Sequence, residues 1–210
     1  MESGKKLDIR NEFLRKLIHI GYSAVPITYL FTDKVFIVTL TAIFSVLMIA
    51  IDLLRNRWDW LGNLYMTVLG KILRGHERDT SKAVFTGGTY IVLSSLFCFL
   101  FFEKHVAISA MLITTFCDTA AALYGKHFGK MKVFDKTIEG SIVFFLVGLV
   151  VLYFMGLLSG VFLLPAILAL LVTTILELLP INIDDNVLIP FTFVISFNGL
   201  SMLLGVGCVC

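Results

Sequence analysis

Charge is what this sequence has least of. Only 15% of its 210 residues are Asp, Glu, Lys or Arg, 58% are hydrophobic, and the mean hydropathy is +0.94. That balance lies outside the range of ordinary soluble domains. Other absences narrow the classes further. The formal charge is only +2 and no basic block interleaves with aromatics outside the apolar runs, which argues against nucleic-acid binding. Cys98, Cys117, Cys208 and Cys210 sit in or at the ends of apolar segments with no histidine at ligand spacing. A zinc site or a disulfide framework is therefore not expected, and the terminal CVC is not a prenylation box. The first twenty residues lack a small-residue cleavage site after a short apolar core, so residues 14–32 are expected to remain as a first membrane span.

What is present is a succession of apolar stretches, each long enough to cross a hydrocarbon core of about 30 Å at about 1.5 Å per residue. The expected fold is an all-α polytopic transmembrane bundle, one membrane-embedded domain over residues 1–210. Its seven spans fall near 14–32, 35–54, 84–102, 105–124, 141–159, 161–180 and 187–207. Segment 58–73 carries apolar residues at helical spacing opposite Asn63, Thr67 and Lys71, begins with Trp58 and Trp60, and is expected to lie in the interface. All of the 17 Lys and Arg except Lys34 and Lys104 fall on one side of this arrangement, which makes that side, with the N-terminus, cytoplasmic. All carboxylates except Asp33 and Glu103 lie on or near the same side. Acids contribute little to orientation, so chemistry confined to that face is expected to hold them there.

Three constellations stand out. In EFLRKLIHI, residues Glu12, Arg15, Lys16 and His19 share one helix face. Arg15 and Lys16 alone would be ordinary snorkelling cations, while His19, deeper in, reads equally as a structural or a functional group. In DTAAALYGKHFGKMKVFDKTIEG, Asp118 lies inside an apolar run, where a charge costs about 2.5–3.5 kcal/mol at the bilayer centre and marks a candidate site by default. An internal ion pair made for packing is the plainer alternative. Small residues around it, Ala120 to Ala122 and Gly125, admit a close neighbour. Downstream, Gly125, Lys126, Gly129, Lys130, Lys136 and Thr137 resemble a phosphate cradle, although the spacing is not that of a Walker A loop. In ELLPINIDDN, Glu177 sits at membrane depth before the Asp184–Asp185–Asn186 turn. With Asp118 and Glu139 these form an oxygen-only ligand set suited to Mg²⁺. Acids, cations and a glycine–lysine loop on one membrane face are the equipment of phosphoryl or nucleotidyl transfer, and the location implies a lipid acceptor.

The motifs RKLIHIG, TGGTY (86–90), DTAAALYGKHFGK, KTIEGS (136–141) and LPINIDDNVLIP resemble the CTP-dependent lipid kinases, the family of dolichol kinase, phytol kinase and the CTP-using diacylglycerol kinase. That family is distantly similar to phosphatidate cytidylyltransferase. The resemblance implies CTP as phosphate donor, a divalent ion, and roles for Arg15 and Lys16 (the basic pair), Asp118 (the essential aspartate), Gly125 (the loop glycine) and Asp184, Asp185 and Asn186 (the turn). The expected reaction moves the terminal phosphate of CTP to a membrane alcohol, polyprenol or dolichol first, diacylglycerol or phytol next. His19 or Asp118 would accept the hydroxyl proton. Cytidylyl transfer to phosphatidate is the rival enzyme reading, disfavoured because the paired K-D and downstream H-G-G and D-R signature is absent. A transporter is the non-enzyme rival, disfavoured by the apolar outer halves of the spans and the lack of an inverted repeat. The chain looks like the bare family core, which favours a prokaryotic membrane and leaves oligomeric state open, a homodimer included.

Overall fold

The computed structural model describes residues 13–55, 57–70, 73, 85–159 and 163–206. Glu12, Lys71, residues 74–84 and the last residue of the expected seventh span, 207, lie outside the described residues. Ten helices and a small hairpin follow one another among them. Helix α1 covers 13–21. It is followed by α2 (Ala24–Phe31), α3 (Lys34–Leu54), α4 (Asp59–Leu69), α5 (Gly87–Phe101) and α6 (Lys104–Leu112), which continues through a π-helical turn (Ile113–Cys117) into α7 (Asp118–Phe128). Strands β1 (Lys132–Val133) and β2 (Lys136–Thr137) precede α8 (Ile138–Ser159), α9 (Leu163–Leu178) and α10 (Asp185–Leu203).

Among the described residues, four helices have the length and composition to cross a membrane: Lys34–Leu54, the composite Lys104–Phe128, Ile138–Leu158 and Asp185–Leu203. Helices α5 and α9 are apolar but shorter, at 15 and 16 residues. The expected first span is broken at Tyr22–Ser23. Pro26 has no N–H to offer the Tyr22 carbonyl, which instead takes the Val25 amide at 3.0 Å in a tighter turn.

The composite helix α6–π–α7 is the centre. Every residue from Val106 to Thr115 is buried, consistent with a helix apolar on all sides. Small and hydroxylated residues make this close packing workable, because their hydroxyls bond back to the helix itself. Ser109 Oγ donates to His105 O at 2.7 Å, Thr114 Oγ1 to Ala110 O at 2.8 Å, and Thr115 Oγ1 to Met111 O at 3.1 Å. Around this axis α8, α9 and α10 pack in sequence, α5 bridges α3 and α10, and α2 leans on α6. Phe99 and Tyr29 meet edge to face at 5.0 Å, and Phe144, Phe193, Met111 and Leu170 fill the interior.

The short connections expected around Asp33 and Glu103 exist, and their charges have local work. Asp33 caps α3 through the Phe36 amide at 2.7 Å, and Glu103 caps α6 through His105 N at 2.8 Å and Val106 N at 3.1 Å. Lys104 donates to Leu30 O at 3.3 Å and Thr32 O at 2.9 Å, closing the end of α2. At the other end, α7 and α8 approach closely. A Cβ on Gly140 would stand 3.0 Å from the Ala121 carbonyl, as the small residues around Asp118 suggested. Gly140→Leu is expected to destabilise the fold by about 1–3 kcal/mol through overpacking, read as a lowered midpoint in thermal unfolding. Gly140→Ala should cost less.

Candidate functional site

The face shared by Arg15, Lys16 and His19 on α1 is the face turned to the protein interior. The Lys16 ammonium pairs with Asp118 Oδ2, and the two residues are 4% and 8% exposed. The Asp118 charge is therefore compensated from a helix about a hundred residues away in the chain. His19 Nε2 stands 3.1 Å from the Thr114 carbonyl and 3.7 Å from Asp118 Oδ2. That carbonyl lies in the π turn, where the widened i→i+5 pattern alters backbone pairing. A carbonyl only accepts, so the network assigns the ring proton to Nε2 and leaves Nδ1 of the neutral imidazole as an acceptor.

These groups line a cavity of about 510 Å³. Arg15, Lys16, His19, Asp118, Thr86 and Asn186 supply its polar lining, and Ile18, Val25, Phe44, Met48, Ile91 and Val92 its apolar lining. A polar pole joined to an apolar trough is the shape expected for an amphiphile.

The remaining sequence-predicted residues fall elsewhere, and several have other work. Lys136 Nζ bridges Glu177 Oε1 at 2.6 Å and Asp185 Oδ1 at 3.1 Å, with Ser141 Oγ 3.4 Å from the second Glu177 oxygen. This second cluster lies within electrostatic reach of Asp118. Glu139 accepts from the backbone amides of Lys130 and Met131 at 3.1 Å and so fastens the loop to α8. Asp184 caps α10 by accepting the Asn186 amide at 2.9 Å. Asn186 Nδ2 donates to Gly87 O at 3.2 Å. The expected glycine–lysine cradle is not one loop: Gly125 and Lys126 belong to the last turns of α7, Gly129 follows it, and Thr137 ends the hairpin. Lys126 and Lys130 are exposed, and among the described residues neither they nor Lys136 line the cavity.

Among the described residues no group of three or more His, Cys, Asp or Glu side chains gathers as a metal site, so the six oxygen donors expected to share one ion are dispersed. Glu177 and Asp185 do enclose a cation, the Lys136 ammonium. Mg²⁺ commonly uses one or two carboxylates together with substrate phosphates, but here the Lys136 ammonium already neutralises this pair.

Sequence reasoning passed over Asp52, which is 1% exposed near the end of α3. Its Oδ2 accepts from Thr86 N at 2.8 Å, Thr86 Oγ1 at 3.1 Å and Thr89 Oγ1 at 2.6 Å. The signal was available: an acid inside the apolar run IAIDLL deserves the same question as Asp118. Tyr65 of α4, which lines the cavity, had no such signal.

Against known proteins, the chain is 31% identical over 148 residues to CTP-dependent diacylglycerol kinase 1 of Saccharomyces cerevisiae, covering 67% of this chain and 49% of that protein. It is 31% identical over 103 residues to the protein of the same name from Eremothecium gossypii, covering 48% and 31%. The chain belongs to the CTP-dependent lipid kinase family. It spans about half or less of the length of these two kinases. An uncharacterized protein of Rickettsia prowazekii matches over nearly its full length, at 26% identity over 198 residues, 91% of this chain and 96% of that one. No protein-family model and no solved structure matches.

The second cluster makes a stability prediction. Burial disfavours the Lys136 ammonium, but the Asp185 and Glu177 carboxylates outweigh it and hold its pKa above the ordinary 10.5. The pairing therefore contributes fully below that value and is lost as pH rises through the raised one. Lys136→Met should cost about 2 kcal/mol, less than a fully enclosed pair because the Lys136 side chain is 29% exposed. Denaturant midpoints at pH 7 and pH 9 should show the same loss, and Glu177→Gln should recover part of it.

Proposed function

We propose that this protein transfers the terminal phosphate of CTP to the hydroxyl of a membrane lipid alcohol. The observation that carries the reading is one cavity that joins Arg15, Lys16, His19 and Asp118 to an apolar lining, the trough. CTP as donor is supported by the names of the Saccharomyces and Eremothecium relatives. Those names put diacylglycerol first among acceptors, ahead of the polyprenol, dolichol and phytol alternatives raised by the sequence.

In this mechanism the lipid chains occupy the trough and bring the hydroxyl to the polar end. Arg15 and Lys16 offer positive charge to the triphosphate, where neutralising and orienting the transferring group does most of the work. The lipid oxygen attacks the terminal phosphorus as the bond to the bridging oxygen breaks, and CDP leaves. His19 Nδ1 takes the hydroxyl proton. Asp118, beside the Nε2–H, steadies the imidazolium that results and holds Lys16 in place, which favours His19 over Asp118 as base. Glu177 and Asp185 would hold a divalent cation only if Lys136 released them, and the cation would then supply neutralisation of phosphate charge. The exposed Lys126 and Lys130 would meet the nucleotide only as it approaches, and Gly125, Gly129 and Thr137 serve the packing of α7 on α8. Proton transfer of this kind contributes about 10²–10⁴-fold.

The seven-span topology goes with this reading, with α1–α2 as one broken span, α6–α7 as another and α4 lying in the interface. The Lys and Arg asymmetry supports a cytoplasmic site, and the length match to the Rickettsia protein supports a prokaryotic membrane.

Reconstituted protein given γ-labelled CTP, Mg²⁺ and a panel of diacylglycerol, polyprenol and phytol should yield a labelled lipid monophosphate and CDP. Pyrophosphate as product would replace the reading with cytidylyl transfer, and absence of CTP consumption would overturn it. Asp118→Asn should lower kcat by about 10²–10³-fold in a protein that still folds. His19→Gln should lower kcat and remove the acidic limb of the kcat–pH profile, an outcome not expected if His19 only packs.

A further inference from the structure

Asp52 is a buried acid that the proposed chemistry does not use. Its Oδ2 collects three hydrogen bonds from the first turn of α5, all from Thr86 and Thr89. Its Oδ1 makes no hydrogen bond among the described residues and faces Arg55 Nε at 3.6 Å. Arg55, 5% exposed, lays its guanidinium over the Tyr65 ring at 4.9 Å from the centroid. The backbone of α4 is pressed against the same residue, since a Cβ on Gly62 would stand 2.6 Å from the Arg55 carbonyl. One carboxylate on α3 thus holds two separate pieces of the cavity wall: Thr86, Gly87 and Gly88 on α5, and Tyr65 on α4. Met48 and Phe44 from α3 and Ile91 and Val92 from α5 line the same cavity.

A purely structural charge at this depth would be an expensive choice. Well-packed apolar residues commonly replace buried ion pairs without loss of stability. What an acid does that an apolar residue cannot is fix three donors of α5 and one cation beneath α4 in a single geometry. Being a carboxylate at a helix N-terminus, it also complements the positive end of that helix.

We infer that Asp52 is a positioning residue for the lipid acceptor, setting the cavity wall formed by the first turn of α5 and, through Arg55, by Tyr65. The inference rests on the lipid kinase reading and divides the cavity into an acceptor wall and a phosphate wall. Asp52 touches neither substrate.

The test uses the full chain in nanodiscs, with CTP and either dioctanoylglycerol or a short polyprenol as acceptor, and the variants Asp52→Asn, Thr89→Val, Tyr65→Ala and Tyr65→Phe. Asp52→Asn and Tyr65→Ala should raise KM for the acceptor about tenfold, the size of one charge-assisted contact. They should leave kcat and KM for CTP within about twofold. Thr89→Val should move the same way by less, and Tyr65→Phe, which keeps the ring, should fall between the parent and Tyr65→Ala. An equal rise in KM for CTP, or a lowered melting temperature with acceptor KM unchanged, would overturn the inference. If the parent turns over no CTP, the kinase reading fails by itself, and the acceptor-induced thermal shift without nucleotide decides this one. Loss of that shift in Asp52→Asn and Tyr65→Ala, with a smaller loss in Tyr65→Phe, supports the wall. A shift unchanged by the variants, or absent in the parent with both lipids, ends it.

Discussion

The pairing of Lys16 with Asp118 is the constraint on which the rest depends. Each residue alone would be a charge held in a low-dielectric setting, at a cost of several kcal/mol even after relaxation. Together they tie α1 to the central helix at the point where α6 becomes α7. That tie brings Arg15, the preceding residue, and His19, about one helical turn further on, into the lining of the cavity. An ion pair so enclosed need not add net stability. Its effect here is to decide where α1 lies, and α1 carries three of the groups that make the cavity chemical.

The central helix serves the site through an irregularity. Five residues, Ile113–Cys117, adopt π geometry between two α-helical stretches. The hydroxyls of Thr114 and Thr115 turn back to carbonyls one turn earlier, a habit that bends and loosens helices. The Thr114 carbonyl then serves His19. An uninterrupted α-helix would use that carbonyl within its own ladder, so the widened turn sets the imidazole tautomer. Asp118 follows immediately, and its direction toward α1 depends on the same change of phase.

Acidic residues that look alike in the sequence separate into distinct physical tasks. Asp33, Glu103 and Asp184 satisfy amides at helix starts, and Glu139 does the same for the loop at Lys130 and Met131. Glu177 and Asp185 confine one ammonium, Asp118 confines another, and Asp52 organises the start of α5. The concentration of carboxylates on one face is thus mostly a set of separate local balances. The lysines divide in the same way, with Lys16 and Lys136 committed to carboxylates and Lys126, Lys130 and Lys132 exposed.

Membrane residence, the helical fold and the shared face of Arg15, Lys16 and His19 were legible in the sequence. They follow from hydropathy, span length and the 3.6-residue period, all local properties of the chain. Asp118 was legible for a related reason, since a charge in an apolar run demands a partner wherever it folds. Which partner it finds was decided by tertiary structure, because nothing local connects residue 16 to residue 118. The same holds for Lys136 between Glu177 and Asp185, for the dispersal of the expected metal ligands, and for Asp52, whose donors lie more than thirty residues downstream. Periodicity tells which residues share a helix face. Only the packing of helices tells which faces meet, because that choice is made by shape and charge matching across the whole bundle.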